Sequence, residues 1–332
     1  MGWRQRQILV RIAMVFAVLS SPPLSAQVAI QDSGDVSGKV GDNGVWEQPD
    51  LRWRRPVTLK GHEGHRYGMR RVQADTGEVV YGFVYSFCAD PSHDGTRLKP
   101  YALSLGMDMP VLSNWAQEGF IDVLLDGESL GDTRATFTTT GSGKEKAEIT
   151  MAWENGKAAV EITFSPESQN VRLPATVRIA PKRELKSIQV RLRCYPNEHA
   201  APCSLGASVR NRHVATAKQD VGVLGTEPAK AVKLSSGEPW IVYYDANLDK
   251  GVTRTLADGK SQRTGYGPCA LAYIPAETRE VTVNVGGYSI DTVLSYPPTA
   301  REIHLLLWDF GAGKGEKDNK GALDYFKSLR IE

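Results

Sequence analysis

The sequence predicts an all-β protein, a large antiparallel β-sandwich with one short C-terminal helix. Three observations carry the prediction. Short segments of alternating polarity recur along the chain, Asx-Gly pairs punctuate them, and the composition (32 Gly, 18 Pro, seven Trp) suits many strands joined by turns. The segments are 79–87, 121–125, 147–153, 159–164, 172–179, 187–194, 240–244, 280–285, 288–294 and 303–308.

In 187–194, Ile188, Val190 and Leu192 face one way while Gln189, Arg191 and Arg193 face the other. Val281, Val283 and Val285 repeat the pattern. A period of two sustained on this scale means antiparallel sheet with one wet face. Asp126-Gly127, Asn155-Gly156 and Asp258-Gly259 are tight-turn signals, because these residues tolerate positive φ at low cost. Helical spacing is confined to the end, where Leu323, Phe326 and Leu329 recur within 320–329 and Asp318 or Asn319 is available as N-cap.

The first 26 residues have the pattern of a signal peptide. Arg4 and Arg6 precede an apolar stretch, 8–19, broken only by Arg11, and Pro22, Pro23, Ser25 and Ala26 supply a cleavage boundary before Gln27. That stretch is shorter than the roughly 20 residues a membrane span needs, and no later one approaches it. The expectation is an exported protein, periplasmic or extracellular, without a stable membrane span. Residues 27–44 lack any period and read as a flexible lead-in. Residues 45–332 carry no internal repeat or Pro/Ser-rich linker and read as a single β domain; the alternative is a split within 205–235, where patterning is poorest.

Forty basic residues against 38 acidic ones leave no single-sign field, so a nucleic-acid partner is not expected. Four cysteines in an exported chain allow three pairings. Cys194 and Cys203 flank a turn-rich run and are the expected disulfide, with Cys88 and Cys269 as buried free thiols. No C-x2-C pair exists, so neither metal nor cofactor is expected.

Ligand-binding candidates fall on loops. His62-Glu63-Gly64-His65 is one residue short of the metalloprotease motif and is flanked by glycine, so it reads as a polar loop, with Arg66 and Tyr67 beside it. His93 lies in a second polar loop, 90–95, which also suits an Asx-rich turn. Glu198 and His199, inside the presumed cysteine clip, have the makings of a proton-transfer pair. His304 lies on the strand face opposite Ile303 and Leu305, and His213 reads as part of a solvated basic turn. Aromatic rings, Trp115 and Tyr266 among them, would pack on sugar faces if they lined an open groove, whereas rings on the aliphatic side of a strand belong to the core. The chain has no Walker motif, no G-x-S-x-G elbow and no calcium loop.

The run Tyr288 to Pro298 (YSIDTVLSYPP), followed by 303–310 and a short helix, resembles the galactose mutarotase-like supersandwich family. Asp122-Val123 with its Asp126-Gly127 turn, and the strand that ends in Cys194-Tyr195-Pro196, are similar to it as well. The resemblance implies a twisted antiparallel supersandwich whose concave face receives carbohydrate. Aldose epimerases of that family carry an Asn-His-x-Tyr-Phe-Asn type segment, absent here, so no catalytic position carries over. The expectation is therefore an exported carbohydrate-binding protein. The alternatives are a sugar epimerase or polysaccharide lyase using the loop histidines, or a structural envelope protein.

Overall fold

The computed structural model describes residues 27–39, 41–43, 45–46, 57–58, 63–64, 66–88, 103–107, 115, 120–130, 135–196, 210–234, 237–247, 252–255, 261–264, 268–287, 289–310 and 318–329. The first third of the chain contributes β1 (Ala29–Lys39), β2 (Val45–Trp46), β3 (Val57–Thr58), β4 (Arg66–Asp75), β5 (Val80–Cys88), β6 (Leu103–Met107), β7 (Ile121–Leu125) and β8 (Glu128–Ser129). The middle adds β9 (Thr136–Thr140), β10 (Glu148–Glu154), β11 (Ala158–Phe164), β12 (Arg172–Pro181), β13 (Ile188–Cys194), β14 (Asn211–Ala215), β15 (Asp220–Leu224) and β16 (Lys230–Lys233). The last third holds β17 (Trp240–Asp245), β18 (Val252–Thr255), β19 (Ser261–Thr264), β20 (Cys269–Tyr273), β21 (Glu280–Val285), β22 (Ile290–Tyr296), β23 (Glu302–Asp309) and the helix α1 (Asn319–Ser328).

The strands form antiparallel sheets. A nine-stranded sheet runs β15-β14-β17-β20-β23-β12-β11-β10-β9, a six-stranded sheet β16-β21-β22-β13-β7-β8, and a four-stranded sheet β1-β4-β5-β6. Strand β23 pairs with β12 on one side and β20 on the other, so strands before and after residues 205–235 share one sheet. Among the described residues the fold is the expected all-β sandwich with one short C-terminal α-helix.

Period-two patterning builds the core. Ile188, Val190 and Leu192 of β13 and Val281, Val283 and Val285 of β21 are buried in one cluster with Val160 and Ile162 of β11 and Leu173 and Val177 of β12. The third sheet joins the same cluster through Val72, Phe83 and Tyr85, and Phe83 sits 4.8 Å from Phe164 of β11. Turn chemistry sets the registers. Asp126 (φ 52°) and Gly127 (φ 81°) both take the left-handed conformation, as the two central residues of a type I′ hairpin must, and join β7 to β8. The Asp126 carboxylate also accepts the Lys186 and Ser187 amides at 2.7 and 3.0 Å, which tie the turn to the start of β13 and hold its pKa below the usual value. Asn155 closes the β10–β11 turn by accepting the Lys157 and Ala158 amides. Asp258-Gly259 lies outside the described residues.

The expected lead-in differs from the structure. Its residues include β1, which pairs with β4 from Ala29↔Asp75 to Lys39↔Arg66 through an irregularity between Asp32 and Asp35. Backbone pairing and the Asp32–Arg70 ion pair (2.6 Å) hold this edge strand, whose side chains are exposed or half-buried and leave no hydrophobic period to read.

The helix matches its expected span within a residue. The Asp318 carboxylate accepts the Gly321 amide as N-cap. Phe326 is fully buried against Trp240 and Trp308 on the outer face of the nine-stranded sheet, with ring centroids 5.5 and 4.9 Å away. No helix among the described residues is long and apolar enough to cross a membrane.

Candidate functional site

Of the residues singled out by sequence, His62, His65, His93, Glu198, His199 and Tyr266 lie outside the described residues, as does Cys203. Arg66 opens β4, exposed, and donates to Ser37 Oγ on β1 at 3.1 Å. Tyr67 follows it in β4, in register with Cys88 of β5 and Gly38 of β1.

Trp115 is not a binding platform. It is 1% exposed, its indole N–H donates to the Trp308 carbonyl at 2.9 Å, and its ring meets Tyr243 edge-on at 5.7 Å. The other described rings Trp153, Trp240, Tyr243, Tyr244, Tyr273 and Trp308 are also buried. They lie in the two hydrophobic cores, where an aromatic contributes most by area removed from water.

The expected Cys194–Cys203 clip has its second cysteine outside the described residues. Cys194 is a free, buried thiol, and its neighbour is Cys269 across the sandwich. Its strand sends position 194 into the core together with Ile188, Val190 and Leu192.

What the fold does assemble is a polar row on the outer face of the six-stranded sheet. The inward set of β13 leaves Gln189, Arg191 and Arg193 on the other side. Register sets Arg191 opposite Asp122 of β7 and Arg193 opposite Asp291 of β22. Arg191 Nη2 lies 2.8 Å from Asp122 Oδ2, which also accepts the Ser129 hydroxyl at 2.7 Å. Arg193 Nε donates to Asp291 Oδ1 at 2.5 Å, and Gln189 donates to Ser295 Oγ at 3.3 Å. Burial opposes the Arg193 charge, but the Asp291 carboxylate outweighs it and raises the pKa of the guanidinium further. The Arg191, Arg193 and Asp291 side chains are 43, 27 and 21% exposed and Asp122 is buried, so the row is balanced in charge and solvated on its arginine side. Such a row can donate to and accept from hydroxyl groups without attracting ions.

A second constellation lies on the outer face of the nine-stranded sheet. His213 is in strand β14, not in a solvated turn, and its ring stacks on Tyr244 at 4.6 Å. Its Nδ1 lies 2.8 Å from Asp220 Oδ1 and its Nε2 3.1 Å from Asn211 Oδ1, while the Tyr244 hydroxyl donates to Asp220 Oδ2 at 2.5 Å. The imidazole lies across Gly222, where a Cβ would come within 2.5 Å of Nε2, so this glycine is what admits the ring. Both ring nitrogens are engaged within the protein, which leaves neither to serve as a base toward a substrate in this arrangement. Sequence reading missed the site because its signal, a glycine directly across the ladder from a histidine, requires the register.

At one end of the sandwich the inner face turns from aliphatic to charged. Arg212 and Asp245, both fully buried, lie 3.5 Å apart, and Asp245 Oδ1 accepts the Asn211 and Asn247 amides. Asn319 at the start of α1 donates to the Asp245 carbonyl at 3.1 Å, joining the helix to β17. Burial, followed by the nearby Asp309 carboxylate, pushes the Tyr81 hydroxyl far above its usual pKa. Among the described residues no three His, Cys, Asp or Glu side chains converge as a metal site would require.

No protein-family model matches the chain, and no curated protein matches it. Solved structures similar to it include a TPR-domain containing protein from Parabacteroides distasonis (10% identity over 93% of this chain and 58% of that one, TM-score 0.48). Another is the galactosidase domain of an alpha-galactosidase-sucrose kinase (10% identity over 73% of this chain and 41% of that one, TM-score 0.40). The chain covers less than two thirds of the length of either, and at these TM-scores the likeness assigns no function.

Proposed function

We propose that the protein is an exported carbohydrate-binding protein that holds a neutral glycan on the outer face of its six-stranded sheet. The observation that carries this reading is the row of paired Arg191–Asp122 and Arg193–Asp291, with Gln189 and Ser295 beside it. Paired charges fix one another in place, so the row offers preorganised donors and acceptors at low entropic cost. Its charge balance favours a polyol over an anion. The resemblance of the sequence to the mutarotase-like family points to the same ligand class.

Calorimetric titration of the protein with neutral and anionic oligosaccharides tests the reading. The expected result is binding of a neutral glycan that changes little with salt and weakens at least about tenfold in an Arg193→Ala/Asp291→Ala double variant, as loss of charge-assisted hydrogen bonds requires. The variant's fold is checked by circular dichroism. A steep salt dependence, an unchanged affinity in the folded variant, or no binding to any glycan would overturn it.

A further inference from the structure

Strand alternation sets two apolar side chains among the ion pairs on the outer face of the six-stranded sheet. Val293 lies between the buried Thr292 and Leu294 on β22, and Leu124 between the buried Val123 and Leu125 on β7; both are half-buried. Val293 is in register with Arg191 on one side and with half-buried Thr282 of β21 on the other. Two residues along its own strand in either direction stand Asp291, bonded to Arg193, and Ser295, bonded to Gln189. Val293 and the Thr282 methyl thus form a small apolar floor framed by polar pairs. Leu124 is in register with Gln189 of β13 and Ser129 of β8. The exposed Asn284 extends the Arg193–Asp291 line onto β21, and Lys233 pairs with Glu280 at 2.7 Å, so the charges here are also balanced.

We propose that this face takes a linear chain of linked pyranoses lying across the strands, with one ring on Val293 and Thr282 and another on Leu124. The inference rests on the carbohydrate reading above and deepens it. A pyranose presents a face of C–H groups and a rim of hydroxyls. An apolar floor framed by fixed donors and acceptors matches both, which an open-chain polyol does not exploit. Leu124 and Val293 are two strands and one outward position apart, a backbone separation of roughly 12 Å from strand spacing and rise. That is wider than a single sugar ring, so the two floors call for linked rings. Between them run Arg191 and Gln189 of β13, which meet the hydroxyls on either side of the linkage. Because recognition is shared between two separated positions, it follows the number of rings. A ring-opened terminus costs nothing while enough closed rings remain to reach both floors.

The test is calorimetric titration of the full chain with methyl glucoside and methyl galactoside, sorbitol, cellotetraose, maltotetraose, a β-1,4-galactotetraose and the borohydride-reduced form of each tetrasaccharide. One tetrasaccharide is expected to bind at least about tenfold more tightly than its methyl glycoside, the gain of engaging two positions at once. Its reduced form should bind equally well, and sorbitol should not bind. Val293→Ala and Leu124→Ala should each weaken the tetrasaccharide about fourfold or more, the worth of one buried methylene. Their folding is checked by circular dichroism. In the unmutated protein, NMR should show contacts from the Val293 methyls to sugar ring C–H protons. Equal affinity for one ring and four, or binding that is lost in Arg193→Ala/Asp291→Ala yet unchanged in both folded apolar variants, would overturn this inference and leave the carbohydrate reading standing. Absence of binding to every one of these sugars would overturn both.

Discussion

The outer faces of the two main sheets are made from the same kind of strand and end up with opposite surfaces. On the six-stranded sheet, β13 buries every second residue and carries arginines and a glutamine between them. On the nine-stranded sheet, β17 and β20 bury every residue, because α1 covers the second face. Strand β23 contains both regimes. Its outward positions run Glu302, His304, Leu306, Trp308, and the change from charged to apolar marks where the helix comes to lie. A strand's outward residues thus record what sits above them, water or another layer.

The largest way to break that contrast is to remove the ring that seats the helix. Phe326→Ala should cost about 3–5 kcal/mol in urea unfolding, since it empties a site lined by Trp240, Trp308, Phe310 and Tyr325. A loss under 1 kcal/mol would mean that the helix is not a structural layer. At the margin of the same face, Gly222→Ala should cost about 1–3 kcal/mol, because its Cβ meets the His213 ring. Much of that cost should disappear in a His213→Ala background, and strict additivity in the double variant would refute the proposed clash.

On the polar face the effects should be small. Arg191→Ala removes an ion pair whose arginine is 43% exposed but whose partner Asp122 is buried and keeps only the Ser129 hydroxyl, so stability should fall by about 1–2 kcal/mol. A much larger loss would show that this face is covered after all. The smallest effect concerns acid. The Glu302 carboxyl is held below its ordinary value of 4.5, chiefly by Arg178 and next by His304. With a depressed folded pKa, its stabilising contribution is complete above 4.5 and is lost as pH falls through the lower folded value. NMR titration should place this carboxyl below normal and return it upward in Arg178→Ala; a normal midpoint in the parent protein would remove the interaction.

Much of the scaffold was legible because it depends on local rules. Alternation at 187–194 and 280–285, the Asp126-Gly127 hairpin and the Asp318 cap each need only a few neighbouring residues to be recognised. Strand β1 was not legible, because an edge strand held by backbone pairing leaves no apolar period. Nor was the role of Trp115, an isolated ring in a stretch without period, whose burial depends on Trp308 and Tyr243 far away in sequence. His213 looked like part of a basic turn until the ladder placed Gly222 opposite it.

Local residue order was enough for about half of the strands with their inward faces, several turns and the helix, since backbone sterics and side-chain period act over a few residues. Which strands became neighbours was settled when the sheets assembled. That choice set Asp122 beside Arg191 and Asp291 beside Arg193. Such pairings follow from how whole sheets bury their apolar faces together, a condition met by the assembled chain and by no segment alone.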